Sequence, residues 1–152
     1  MEHEHLVHQF FSLFSKFEYA LKMAGIHNAS GNAEADWTAF AESISDKFDK
    51  NNNPKLTEGV NYILQYPPNK QIVKDGVLQW SGTPPDSKSE ADLLLKYIGR
   101  VRNNLFHGGK YKRRLLENPD RSEKLFNGCM SILTYCLELS PDVKQAFDGN
   151  TT

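Results

Sequence analysis

Residues 89–109 read SEADLLLKYIGRVRNNLFHGG, and this stretch decides the expected fold. Ser89 and Asp92 match a capping box, in which two side chains satisfy free backbone amides at the start of a helix. Apolar residues then recur at steps of three and four and form a stripe about 60° wide on a helical surface. The stripe consists of Leu94, Ile98, Val101 and Leu105. A glycine pair at 108–109 is a typical helix end. The stretch therefore predicts a main helix that ends at His107.

The same spacing of apolar residues predicts helices elsewhere in the chain. They cover residues 4–24, 37–48 and 122–139, with a shorter helix that Thr57 caps and Pro67-Pro68 ends. Gly25 is the expected end of the first helix, since glycine readily adopts the backbone conformation found there.

The periodicity changes around residues 69–88, where an Asp75-Gly76 turn separates two short β-prone runs. This pattern predicts a small β-hairpin or ordered loop. The expected fold class is therefore all-α, with four main helices and a small insert.

The composition indicates one globular domain spanning residues 1–152. Of the 152 residues, 39% are hydrophobic, which is enough for a sizeable core. Eighteen basic and nineteen acidic residues give a formal net charge of -1, so the overall charge favours neither nucleic acid nor a membrane surface. Any anion-binding surface must be local, and residues 110–114 (KYKRR) are the clearest local excess of positive charge.

Cysteine usage and the N-terminal stretch indicate a cytoplasmic protein. Cys129 and Cys136 lie seven residues apart in one helical pattern, about 10 Å along the axis, which is too far for a disulfide within that helix. We expect reduced core thiols. The first residues are acidic and His-rich, unlike a secretory signal, and no apolar run is long enough to cross a bilayer.

Arg102, Asn103 and His107 are the candidate catalytic residues. Arginine is permanently charged and can bind two phosphate oxygens, and histidine can give and take protons near neutral pH. Asn103 and His107 are four residues apart and therefore adjacent on a helix surface. This combination suits phosphodiester chemistry, although an Arg and a His are also common at a helix C-terminus because cations are favoured there.

Further residues could support this site. Lys110, Lys112, Arg113 and Arg114 are expected to contact phosphates, and the alternative for them is a solvated loop. Tyr111 could stack on a base or pack against the last helix. Glu18 on the first helix could approach the Arg102 face and contact the site residues without touching the substrate. Alternatively, it could be an exposed or salt-bridged carboxylate. The sequence contains no metal-binding or Gly-rich phosphate-binding motif, so no metal or cofactor is expected.

The spacing of Arg102-Asn103 and His107 resembles the signature of HEPN domains (higher eukaryotes and prokaryotes nucleotide-binding). The run RNNLFHGGK looks like prokaryotic members of the toxin and defence type, and FEYALK at residues 17–22 is similar to their opening helix. In members silenced by nucleotidyltransferase antitoxins, the modified tyrosine lies two residues after the motif histidine. Here that position is Gly109, and Tyr111 is four residues beyond the histidine.

This resemblance implies an up-down helical bundle that forms a homodimer in which two Arg102/His107 faces meet. It also implies a metal-independent endoribonuclease that leaves 2′,3′-cyclic phosphate and 5′-hydroxyl ends. Such a protein would be a toxin or antiviral-defence component, with RNA as substrate and a cognate antitoxin as a possible partner.

Two other functions remain open from the sequence. The same face could belong to a non-catalytic RNA- or protein-binding module, or the chain could be a structural partner of another protein. The joint presence of Arg102, His107 and Asn103 favours the enzyme, because a binding surface does not require all three.

Overall fold

The structure, a computed structural model, describes the backbone of residues 2–107 and 119–149 and the side chains of residues 4–105 and 120–149. It confirms a mostly helical fold with one small antiparallel hairpin. The elements in the described residues are α1 (Glu2–Met23), α2 (Trp37–Ile44), α3 (Pro54–Gln65), β1 (Lys70–Lys74), β2 (Val77–Ser81), α4 (Glu90–His107), α5 (Pro119–Glu138) and α6 (Pro141–Phe147).

Helix α1 ends as the sequence predicts. Gly25 has a φ of 86°, the left-handed conformation that glycine adopts without steric cost. The amide of Ile26 donates to the carbonyl of Leu21 at 2.8 Å, and the amide of Gly25 donates to that of Lys22 at 3.1 Å. These two bonds form a Schellman motif, which satisfies the last carbonyls of the helix and turns the chain away.

The start of α4 confirms the predicted capping box. Ser89 Oγ accepts the amide of Asp92 at 3.1 Å, and Asp92 Oδ2 accepts the amide of Lys88 at 3.0 Å. The buried Asp92 carboxylate also pairs with Lys96 Nζ at 3.1 Å. Side chains therefore satisfy two backbone donors at the first turn of this helix.

Helix α2 is shorter than the predicted 37–48, because it ends at Ile44. The chain beyond it turns toward α5, where the Tyr135 hydroxyl accepts the amide of Asp49 at 2.8 Å and lies 3.2 Å from the carbonyl of Lys47. Phe48 still packs edge-on against the Tyr135 ring. A contact between distant parts of the chain thus replaces the last predicted turn of the helix.

Helix α3 begins four residues earlier than predicted, and Thr57 is not its cap. Asn53 Oδ1 accepts the amide of Leu56 at 2.9 Å, and Pro54 occupies the first helical position, where its missing amide costs nothing. Thr57 lies inside the helix and donates its hydroxyl to the carbonyl of Lys50 at 2.7 Å.

Two packing layers form the core. Helix α1 packs on α5 and α6, α3 packs on α5, and α2 packs on α4. Aromatic rings join these pairs: Phe10 of α1 meets Phe126 of α5 at 5.6 Å, and Phe17 of α1 meets Phe40 of α2 at 5.2 Å between ring centroids. The half-buried Trp37 stacks on Phe14 at 5.1 Å and packs against the core.

Helices α3 and α5 meet at a pair of glycines. A Cβ atom on Gly59 would lie 2.8 Å from the Cα of Gly128, and one on Gly128 would lie 3.1 Å from the Cα of Gly59. Both distances are shorter than a normal carbon contact. The close crossing of these helices therefore requires glycine at both positions.

The hairpin follows the predicted Asp75-Gly76 turn, whose residues have φ values of 52° and 74°. Two consecutive positive φ angles are typical of a type I′ hairpin turn. Val73 pairs with Leu78, and both side chains are mostly exposed. Trp80 on the same face is half-buried.

The two cysteines are free and buried in α5, as expected for reduced core thiols. Burial raises the pKa of the Cys136 thiol to about 12 and raises that of Cys129 as well. In the described residues every helix is too short or too polar to cross a lipid bilayer.

Candidate functional site

The last turns of α4 carry the predicted Arg102 and Asn103. Arg102 Nη1 donates to Asn103 Oδ1 at 3.1 Å, so the guanidinium and the amide act as one polar unit. Asn103 is exposed, and Arg102 is half-buried. The helix continues through His107, whose backbone lies one turn after Asn103. The side chain of His107 lies outside the described residues, as do Gly108-Gly109.

The buried side of α4 is wider than the sequence predicts. It covers about 180° of the helix rather than about 60°. Its members are Ala91, Leu94, Leu95, Tyr97, Ile98, Val101, Asn104 and Leu105. The reason is that α2 covers one side of the helix while β1 and α3 cover neighbouring sides. The other half of α4 is less buried, and the half-buried Arg102 lies at the margin of the buried half, between Ala91 and Leu95.

We use the name open strip for the α4 positions Lys96, Gly99, Arg100, Asn103 and His107. Lys96 is engaged within the chain, because it pairs with Asp92 and also donates to the carbonyl of Asp86. A Cβ added at Gly99 would have no described atom within 4 Å, so this part of the chain leaves space above the strip.

Arg100 is a residue of the open strip that the sequence reasoning missed. Its guanidinium lies over the Tyr97 ring, 5.7 Å from the centroid. Its Nη1 atom is buried and finds no hydrogen-bond acceptor among the described residues. A buried donor without an acceptor is costly, and because Nη1 is buried it is not accessible to an outside ligand in this conformation. Arg100 lies seven residues, or about two helical turns, before His107, so both are on the same side of α4. This spacing could have identified Arg100 in the sequence.

Asn104 is a second residue that the sequence reasoning missed. Its side chain is buried, and Nδ2 donates to the carbonyl of Asn69 at 2.9 Å. Asn69 directly precedes β1, so this bond ties the hairpin to the turn that carries Arg102 and Asn103. The sequence signal for Asn104 was its position as a polar residue at the margin of the predicted apolar stripe.

Glu18 bonds to Trp37 in the structure. Its Oε2 accepts the indole Nε1 at 3.1 Å, in a partly buried position between α1 and the start of α2. The contact holds the two helices together at the aromatic cluster.

The predicted RNA-contacting residues Lys110, Tyr111, Lys112, Arg113 and Arg114 lie outside the described residues. Within the part of the chain that is described, no group of three or more His, Cys, Asp or Glu side chains is arranged to hold a metal ion.

Comparison of this chain with protein-family models, curated proteins and solved structures finds no match.

Proposed function

We propose that this protein is a metal-independent endoribonuclease that acts as a homodimer. The observation that carries the proposal is the hydrogen bond from Arg102 to Asn103, whose amide lies on the open strip one helical turn before His107. A permanent cation, an oriented amide and an imidazole on one helix end are the groups that phosphodiester cleavage by an internal nucleophile requires.

The reaction needs two proton transfers and one site of charge stabilisation. The ribose 2′-oxygen attacks the neighbouring phosphorus and gives up its proton to a base. The bond from phosphorus to the 5′-oxygen breaks, and that oxygen takes a proton from an acid. The products are a 2′,3′-cyclic phosphate and a 5′-hydroxyl. Arg102 stabilises the charge on the non-bridging oxygens, and His107 transfers protons.

Asn103 has a defined role in this proposal. Its Oδ1 accepts the Arg102 guanidinium, which fixes the orientation of the amide. Its Nδ2 has no acceptor among the described residues and is left to donate to a phosphate oxygen. The pair would then hold one phosphate from two sides.

A homodimer supplies both proton-transfer roles at once. One imidazole cannot be both the protonated acid and the neutral base in the same step. Two α4 open strips facing each other would bring a second His107 to the same phosphate. Such pairing fits the up-down bundle of the HEPN resemblance, and the same resemblance supports a cytoplasmic toxin or defence role with a cognate antitoxin.

Cleavage of total RNA in EDTA tests the proposal. Wild type, Arg102→Ala and His107→Ala are compared with matched controls that remove the same side-chain types elsewhere, His8→Ala on α1 and Arg121→Ala on α5. Product ends are identified, and light scattering gives the oligomeric state. We expect the controls to cleave like wild type and both site variants to lose cleavage while remaining folded.

The non-catalytic alternative has its own outcome in this experiment. If folded wild-type protein binds RNA and leaves it intact, the open strip is a binding surface and the nuclease proposal is wrong. Cleavage that persists in His107→Ala would also contradict it.

A further inference from the structure

We infer that the β1–β2 hairpin is an arm that binds single-stranded RNA and leads it to the open strip of α4. The inference rests on the proposed function. It adds a surface that binds the nucleotides of the RNA that are distant from the cleaved phosphate. It depends on the position of the hairpin, its charge and the apolar side chains that it exposes.

The hairpin is held beside the site. The bond from Asn104 to the carbonyl of Asn69 fixes the base of β1 to α4, and β1 packs on that helix. Asn104, whose bond anchors the hairpin, lies three residues before His107 on α4. The base of the hairpin is therefore attached within one helical turn of the His107 backbone position.

One face of the hairpin carries positive charge. Lys70 directly follows Asn69, and Lys74 lies on the same face of β1, two pleats further along. Both lysines are exposed, and the ion pairs found in the described residues do not include them. Neither strand contains an acidic residue, and the tip contributes one, Asp75. This surface is complementary to a phosphate backbone.

The lysine face also offers an apolar contact for bases, because Val77 pairs with Lys74 and is 56% exposed. Val73 and Leu78 form a cross-strand pair on the other face and are 70% and 63% exposed. Unstacked bases of single-stranded RNA pack on aromatic and apolar side chains, whereas bases inside a duplex are not accessible.

A second copy of this chain is a poorer occupant of the hairpin. Pairing two hairpins would bring Lys70 and Lys74 of both copies together, and like charges repel. The exposed apolar side chains on this face are also few, whereas a stable interface buries about 800 Å² on each partner. RNA provides the opposite charge and needs no large apolar area.

The test measures binding separately from cleavage. The probe is a fluorescent, random-sequence, single-stranded 2′-O-methyl RNA, which lacks the attacking hydroxyl and cannot be cleaved. Fluorescence anisotropy gives its affinity for full-length protein over a range of salt concentrations. Lys70→Gln/Lys74→Gln is compared with Lys55→Gln/Lys124→Gln, which removes two exposed lysines from α3 and α5.

We expect the hairpin variant to bind more weakly and the control to bind like wild type. Each phosphate contact on a single strand contributes about 0.7 to the slope of log affinity against log salt, so the slope should fall by about 1.4.

Three results would overturn the inference. They are absence of RNA binding by wild type, equal binding by the hairpin variant and wild type, and equal weakening in the control. Conversion of a dimer to a monomer by Val73→Ser/Leu78→Ser would also overturn it, because the hairpin would then be a contact between copies. Absence of total-RNA cleavage by wild type refutes the nuclease itself, whereas the anisotropy result decides on the arm independently.

Discussion

Replacing Gly59 by alanine should destabilise the protein although alanine is the better helix former. The new Cβ would lie 2.8 Å from the Cα of Gly128 and 3.0 Å from its carbonyl oxygen. These are backbone atoms, which cannot move aside as a flexible side chain can. Carbon atoms pack comfortably at about 3.5–4.0 Å, so α3 and α5 would have to separate by about 1 Å at their crossing.

The magnitude follows from two opposing effects. Forcing an extra methyl group into a packed contact costs about 1–3 kcal/mol, and exchanging glycine for alanine within a helix returns up to about 1 kcal/mol. We therefore expect Gly59→Ala to lose about 1–2 kcal/mol of unfolding free energy. Gly128→Ala should lose less, because its Cβ would lie 3.1 Å from the nearest atom.

Gly99→Ala is the control within one protomer, since it makes the same change in a helix where a Cβ would have no described neighbour within 4 Å. It should gain up to about 1 kcal/mol. Because Gly99 lies on the face proposed to meet a second copy, all variants are compared at the same protein concentration and oligomeric state. Urea unfolding followed by far-ultraviolet circular dichroism measures all three variants. The reasoning is refuted if Gly59→Ala is as stable as wild type, or if Gly99→Ala is destabilised by a similar amount.

Three further predictions concern the site helix and the core. Asn104→Leu removes the bond to Asn69, so it should cost about 1 kcal/mol and speed amide hydrogen exchange in the hairpin; unchanged exchange would contradict the link. Ser89→Ala removes the hydrogen bond that caps α4 at the Asp92 amide, so the free energy of unfolding measured in urea should fall by about 1 kcal/mol. An unchanged free energy of unfolding would contradict this role of the cap. Burial raises the pKa of the Cys136 thiol from 9.0 to about 12, so the unfolded state loses its proton first and stability falls as pH rises above 9. The loss from this thiol should reach about 1 kcal/mol at pH 10, and Cys136→Ala should show a shallower pH dependence; an identical slope would exclude the effect.

Local signals made much of the fold predictable. The end of α1 at Gly25, the start of α4 at Ser89 and the Asp75-Gly76 turn each depend on a few neighbouring residues, and the structure confirms all three. The same locality explains the placement of Arg102 beside Asn103, which needs only a helix at that point.

Other features depend on contacts between distant parts of the chain, and the sequence pattern did not predict them. Helix α2 ends early because the chain after it bonds to Tyr135, which lies 86 residues beyond Asp49. The glycine crossing of α3 and α5 requires knowledge of which helices meet. The buried side of α4 is wider than predicted because β1 packs there, and this contact explains why Asn104 bonds to the backbone rather than to water.

The position of the two tryptophans has a practical consequence. The chain contains two, one in the aromatic core and one on the hairpin. The Trp37 indole donates to Glu18 and stacks on Phe14, so its fluorescence reports on the packing of α1 against α2. Trp80 is half-buried beside an exposed apolar pair, so its emission depends on what touches the hairpin. A Trp37→Phe variant would leave one optical reporter on the hairpin, and a Trp80→Phe variant one in the core. The unlabelled protein can thus report separately on the events at each place.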